Sequence, residues 1–191
     1  MFEKKLLRSR IKKLLENTAK EDFLSQGEKA AALLSSSPYW AEAKSILIFM
    51  SLTNEINTNP IIKMALEEGR KVYIPRQENG KLNFYHYASI DDPLLIGEYG
   101  IKEPYTGERY KAQKQNKENT LIITPGLAFG SKGERLGRGK GYYDIFFNEL
   151  DSKEKKYVAI GMCMDFQLID SIPTEEHDKK MDAVLTGSVF I

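Results

Sequence analysis

The sequence predicts an α/β fold built on a mostly parallel sheet, and three observations carry that expectation. Short apolar runs rich in β-formers, "SILIFMSL" at 45–52, "KVYIP" at 71–75, "TLIITPG" at 120–126 and "YVAIGMC" at 157–163, read as buried strands rather than half-exposed ones. Segments of helical periodicity lie between them. The succession "SILIFMSL", "NPIIKMALEEG", "KVYIP" has the length of a strand, crossover helix and parallel strand.

The elements follow in order. Residues 2 to 16 place Leu7, Ile11, Leu14 and Leu15 on one helical face, bordered by the row Lys4, Arg8, Lys12. A second helix is expected from Thr18, where Thr18 and Glu21 have capping-box spacing, to about Ser35. Asn59 and Pro60 open the crossover helix and Gly69 closes it. "KLNFYHYA" alternates weakly and fits an antiparallel or edge strand. Residues 88–119, with prolines, glycines and the polar run "KAQKQNKEN", read mostly as loop. "YYDIFFNEL" has helical spacing, and "DAVLT" supplies a last strand. No repeat or linker separates two cores, so 191 residues are read as a single domain spanning 1–191.

Composition excludes several function classes. The chain is 41% hydrophobic and 29% charged with a net charge of +1, which argues against a general nucleic-acid coat. One cysteine, Cys163, supports neither a disulfide framework nor a thiolate zinc site. Two distant histidines, His86 and His177, do not make a histidine-rich metal site; magnesium is the metal to expect. "MFEKKLLRSRIKKLL" lacks the apolar run of a signal peptide, and no stretch has the length of a membrane span, so a cytoplasmic protein with no membrane association is expected.

The most informative stretch is "GERLGRGKGYYD", residues 133–144. Alternating Gly137, Gly139 and Gly141 let backbone amides converge on an anion. The following helix offers a positive dipole end, while Arg135, Arg138 and Lys140 add full charges. Phosphate uses all three contributions. A solvated surface loop is the competing reading, but the position between a buried strand and a helix is where α/β sheets bind ligands. There is no G-x-x-x-x-G-K-[ST], and Tyr142 stands where a G-x-G-x-x-G motif needs its last glycine.

"TPGLAFGSKGERLGRGKGYYD" resembles the signature of the 5-formyltetrahydrofolate cyclo-ligases, also called 5,10-methenyltetrahydrofolate synthetases: a proline-glycine after a strand, then G-x-R-L-G-x-G-x-G-Y-Y-D. "KKLLR" is similar to the family's K-x-x-L-R, and "MSLTNEINT", "YIPR", "GIKEP" and "HDKKMDAVLT" resemble further family segments, so the likeness covers most of the chain. One departure is visible: after Phe129 many members have an acidic residue, where this chain has Gly130 and Ser131.

The resemblance implies a three-layer, mostly parallel Rossmann-like sheet with helices on both faces. It also implies an ATP-driven conversion of 5-formyltetrahydrofolate to 5,10-methenyltetrahydrofolate, with or without a polyglutamate tail on the folate, by a monomer using ATP and Mg. A formyl oxygen is a poor leaving group, and phosphorylating it makes ring closure by N10 possible, a task of positioning and charge stabilisation. The implied nucleotide contacts are Lys4, Arg8 and the stretch Gly133, Arg135, Leu136, Gly137, Arg138, Gly139, Lys140, Gly141, Tyr142 and Tyr143, with Arg135 and Lys140 acting on the transferred phosphoryl group. Implied folate contacts are Met50, Glu55, Arg138 and Tyr142, with Tyr105 as a minor addition. Implied metal ligands are Asp144 and Asp178, with Asp182 the rival of the latter and His177 a packing neighbour.

Each assignment has a structural counterpart. Lys4 and Arg8 also suit a solvated helix face, Arg135 a loop pin, Asp144 a helix dipole, and Met50, Tyr142 and Tyr143 ordinary packing. Glu55 also suits a polar loop after a strand. Two other functions stay open: a different ATP-using kinase or ligase on the same cradle, and a single-stranded RNA-binding module suggested by "GRGKGYY".

Overall fold

The computed structural model describes residues 2–112, 119–152, 157–175 and 178–191. Two helices come first, α1 (Phe2–Glu16) and α2 (Lys20–Ser35), then a short α3 (Pro38–Glu42) leading into β1 (Ala43–Ile48). The crossover helix α4 (Asn59–Glu67) returns the chain to β2 (Lys71–Glu78), which turns back as β3 (Lys81–His86). A small hairpin, β4 (Leu94–Ile96) and β5 (Lys102–Pro104), precedes β6 (Asn119–Pro125). β7 (Ala128–Gly130) and β8 (Arg135–Leu136) form a tight antiparallel pair before α5 (Tyr142–Asp151). β9 (Tyr157–Met162), β10 (Leu168–Ile169) and β11 (Ala183–Leu185) complete the chain.

The main sheet has the order β11-β9-β6-β1-β2-β3, parallel throughout except for the antiparallel edge strand β3. From β1 the chain runs outward through β2 on one side; from β6 it runs outward through β9 and β11 on the other. The reversal lies between neighbouring β1 and β6, which makes the carboxyl ends of these two strands a crevice.

Alternation along the strands explains the layers. Ile46 and Ile48 of β1, Leu121 and Ile123 of β6, and Ile160 and Met162 of β9 share one buried cluster with Ile11 and Leu15 of α1, Phe23, Ala30 and Leu34 of α2, and Ile61 and Ala65 of α4. Their neighbours Leu47, Ile122 and Ala159 point the other way, into a cluster with Phe147 and Leu150 of α5. Helices therefore cover both faces: α1, α2 and α4, with Trp40 of the short α3, on one, and α5 on the other. Each fully buried Ile, Leu or Phe contributes about 1.5–3 kcal/mol of transfer free energy, so the sheet register is strongly fixed.

Several local expectations are corrected. Thr18 does not cap α2: the helix starts at Lys20 after Ala19, and the Thr18 hydroxyl donates back to the Leu14 carbonyl at 2.8 Å, ending α1 instead. Leu14 is exposed while Ile11 and Leu15 are buried, so the apolar stripe of α1 is narrower than its sequence suggests. β1 covers 43–48 rather than 45–52, because Phe49 and Met50 leave the ladder and line the crevice. Thr58, not Asn59, is the residue preceding α4. Within 88–119, the β4–β5 hairpin replaces part of the expected loop; residues 113–118 lie outside the described residues. Among the described residues no helix is long and apolar enough to cross a membrane.

Candidate active site

A cavity of about 360 Å³ opens at the strand reversal between β1 and β6. Phe49 and Met50 after β1, Pro75 and Gln77 of β2, and Pro125 and Gly126 at the end of β6 supply its floor. The glycine stretch from Arg135 to Gly141 forms one wall, α1 adds Lys4 and Arg8, and Ile101 and Glu103 reach in from the hairpin side.

The local chain path follows from its residues. After β8 the backbone carries Gly137, Gly139 and Gly141 into the start of α5, and Gly141 adopts φ +71 directly before the first helical turn. Open space surrounds the position a Cβ would take at Gly141, so the left-handed backbone alone selects glycine there. At Gly137 the Arg135 guanidinium lies against the backbone, 3.2 Å from where a Cβ would stand.

Charge is arranged as linked pairs. The buried Arg135 side chain donates from Nη2 to Asp144 Oδ1 at 2.5 Å and lies over the Tyr143 ring at 5.6 Å. Its Nε is buried without a partner among the described residues, so the guanidinium holds unused donor capacity. Arg8 Nε donates to the Gly137 carbonyl at 2.9 Å, tying α1 to the glycine stretch. Lys4 Nζ donates to Asp178 Oδ2 at 2.6 Å and to Glu175 Oε1 at 3.3 Å. Burial works against the Lys4 ammonium, but hydrogen bonds and charge from Asp178 and Glu175 outweigh it and raise its pKa above the ordinary lysine value. Lys4 is therefore a fixed cation at neutral pH.

Arg138 donates twice to Glu55 Oε1, at 2.6 Å from Nη2 and 3.2 Å from Nε, while the Leu52 amide donates to Glu55 Oε2 at 3.0 Å. Desolvation, with the Glu55 charge adding to it and Arg135 opposing, pushes the Tyr143 phenol pKa well up; Tyr143 stays neutral. Tyr142, one residue earlier, accepts a hydrogen bond on its hydroxyl from Gln77 Nε2, which also donates to Glu98 Oε2 at 2.9 Å.

Thus Lys4, Arg8, Met50, Glu55, Arg135, Leu136, Gly137, Arg138, Gly139, Lys140, Gly141, Tyr142, Tyr143, Asp144 and Asp178, expected from four separated stretches of sequence, converge on one cavity. Three expected residues do not. Gly133, with φ +81, sits in the β7–β8 turn, where a Cβ would collide with the Met181 carbonyl; its glycine is a folding requirement. Tyr105 is exposed and away from the cavity lining. Asp182 accepts from the Ala159 amide at 2.8 Å and donates its own amide to the Ala159 carbonyl, which pins the chain beside β9; Asp178 alone of the two faces the cavity. His177 lies outside the described residues.

At Gly130 and Ser131, where an acidic residue is common in the resembled family, Glu134 takes up the space: its Oε2 accepts from the Lys132 amide at 3.1 Å and lies where a Gly130 Cβ would stand. Sequence reasoning missed Gln77, Leu82, Ile101 and Glu103. "GIKEP" held the signal for two of them, but nothing in that pentapeptide states which side chain turns inward.

Fold and site together define an α/β protein with a cationic glycine wall and an adjoining apolar, acid-edged pocket at the strand reversal. The sequence model of the 5-formyltetrahydrofolate cyclo-ligase family matches residues 1–187. The chain is 30% identical over 187 residues to the mouse 5-formyltetrahydrofolate cyclo-ligase, covering 95% of this chain and 92% of that protein. It is 30% identical over 165 residues to the Escherichia coli K12 protein of the same name, covering 85% and 88%. The NMR structure of Aquifex aeolicus 5,10-methenyltetrahydrofolate synthetase superposes with a TM-score of 0.80 at 27% identity, covering 98% of this chain and 91% of that one. A Mycoplasma pneumoniae 5,10-methenyltetrahydrofolate synthetase shares the fold, with a TM-score of 0.71 at 18% identity and coverage of 96% and 98%. The chain belongs to the 5-formyltetrahydrofolate cyclo-ligase family.

Proposed function

We propose that this protein converts 5-formyltetrahydrofolate to 5,10-methenyltetrahydrofolate, consuming ATP and releasing ADP and phosphate. One observation carries the reading beyond family membership: the cationic glycine wall and the apolar, acid-edged pocket are parts of the same cavity, joined by the Arg138–Glu55 pair. A phosphoryl donor and a flat heterocycle held in those two parts have their reacting ends side by side.

The formyl oxygen of the folate attacks the γ-phosphorus, and the bond to the bridging oxygen breaks as ADP leaves. The amide oxygen is now a phosphate ester. N10 attacks the same carbon, the carbon–oxygen bond breaks with release of phosphate, and N10 loses its proton, leaving the methenyl bridge between N5 and N10. Arg135 and Lys140 stabilise charge on the transferred group, Lys4 and Arg8 hold the nucleotide from the α1 side, and the amides of 137–141 supply uncharged donors. Met50, Phe49 and Leu52 give the folate an apolar seat, while Tyr142 offers a ring face.

Asp144 and Asp178 would hold a magnesium ion, which supplies charge neutralisation on the phosphates when bound. Both line the cavity, Asp144 paired to Arg135 and Asp178 to Lys4, and among the described residues no group of three or more His, Cys, Asp and Glu is gathered that could hold a metal by itself. Two carboxylates with the remainder of the shell from phosphate and water is the arrangement magnesium favours.

Placement of Arg135, buried, and Arg138, at the rim, along one cavity, paired to Asp144 and Glu55, supports this reading over a surface for single-stranded RNA. The deciding assay offers 5-formyltetrahydrofolate with Mg-ATP and follows methenyl absorbance. Formation that requires ATP is expected; ATP hydrolysis or phosphorylation of another acceptor with no methenyl product would assign the cavity to a different kinase or ligase.

A further inference from the structure

Glu103 is a buried carboxylate, 8% exposed, on β5. It lines the cavity beside Gln77, Leu82 and Ile101, on the β2 side of the strand reversal. Its Oε1 accepts from the Gln77 amide at 3.1 Å, and among the described residues that is the single hydrogen bond of its carboxylate. The carboxyl group is pressed onto Gly97, where an added Cβ would overlap it. An ionised carboxylate has about four acceptor sites, and Glu103 Oε2, which carries no hydrogen bond among the described residues and is not sealed from solvent, is open to a donor entering the cavity. Glu55 differs: Oε1 carries two bonds from Arg138 and Oε2 carries the Leu52 amide. The acid best placed by residue type is already largely satisfied, whereas the acid that no motif singled out is not.

We propose that Glu103 is a folate-specificity residue, its Oε2 accepting an N–H of the reduced pterin ring. This rests on the folate reading of the cavity. The reduced pterin presents several N–H donors, from its exocyclic amine and its ring nitrogens, more than Glu55 can take while it holds Arg138 and the Leu52 amide. Glu103 supplies the second acceptor. Its neighbour Gln77 reaches Tyr142 and Glu98, so the same segment of β2 links this acceptor to the start of α5.

A carboxylate accepts at both oxygens, whereas an amide accepts at one and donates at the other. Glu103→Gln therefore keeps size and shape but must mismatch either the Gln77 amide or the pterin. The expected result is a rise of about tenfold in the KM for 5-formyltetrahydrofolate, with the KM for ATP unchanged. The shift in melting temperature produced by the folate should shrink while the shift produced by ATP stays. Gly97→Ala tests the same contact from its other side, by pushing the Glu103 carboxyl out of place, and should reproduce the selective folate defect. Folate and ATP KM values both within twofold of the parent in the two variants would overturn the proposal. So would equal weakening of both substrates, which marks a general loss of structure. Methenyl formation by the unaltered protein is measured alongside; its failure would instead count against the folate reading itself.

Discussion

The two halves of the cavity are built in opposite ways. The cationic half is contiguous: Arg135 to Asp144 supply most of it within ten residues, and α1 adds two side chains one helical turn apart. The other half draws Phe49, Met50, Leu52 and Glu55 from the segment after β1, Pro75 and Gln77 from β2, Leu82 from β3, and Ile101 and Glu103 from the hairpin side. A phosphate site can be made locally, because backbone amides, a helix start and alternating charges already converge over a short path. A pocket for a flat heterocycle needs surfaces facing one another, and these come from strands that meet only after the sheet has formed.

Breaking the contiguous half should produce the largest effect. Arg135→Ala is expected to cost about 2–4 kcal/mol in kcat/KM, from loss of a charge on the transferred phosphoryl group. Steady-state kinetics unchanged within twofold would reduce Arg135 to a partner of Asp144. Next in size, Asp144→Asn should raise the magnesium concentration for half-maximal rate by about tenfold or more, the range seen when groups that support a metal are altered. An identical magnesium titration would leave Asp144 as a helix-dipole and Arg135-pairing residue only.

Two glycines sharpen the comparison between site and scaffold. Gly133→Ala meets both a left-handed backbone and the Met181 carbonyl, and should lose more than the roughly 1–3 kcal/mol of backbone strain alone. Gly141→Ala meets the strain without the collision and should lose less stability. Urea denaturation of both variants checks the ranking, and the reverse order would refute the assignment of Gly133 to the scaffold.

The smallest effect concerns pH. Lys4 has its pKa raised in the folded protein, so its ion pairs stabilise the fold fully below the ordinary lysine pKa of about 10.4 and lose that contribution only as pH rises through the higher folded value. The stability deficit of Lys4→Met should accordingly stay level from pH 7 to about 9 and narrow only above about pH 10. A deficit that narrows near neutrality would mean that Lys4 is not the fixed cation described.

These contrasts also explain what the sequence could reveal. The strands β1, β2, β6 and β9 and the helices α1, α4 and α5 were legible because burial on both faces writes continuous apolar runs and helical periods into them. The hairpin β4–β5 was not, since its three-residue strands are half exposed and too short to carry a period. Thr18 misled because capping-box spacing does not reveal whether the hydroxyl turns forward to the next helix or back to the last. Gly133 misled because it stands beside three glycines that line the cavity while answering to Met181, a contact 48 positions away in the chain. Glu103 stood inside the resembling segment "GIKEP" with nothing to show which way it turns; its meaning lies in the Gln77 amide on one side and the cavity on the other.

The most direct test is a crystal structure with a non-hydrolysable ATP analogue and 5-formyltetrahydrofolate bound together. The account predicts the terminal phosphates against Gly137–Gly141 and Arg135, the pterin between Met50, Glu55 and Glu103, and the formyl oxygen facing the γ-phosphorus. Phosphates lying outside the glycine wall, or a pterin seated away from the β1 and β2 strand ends, would contradict it.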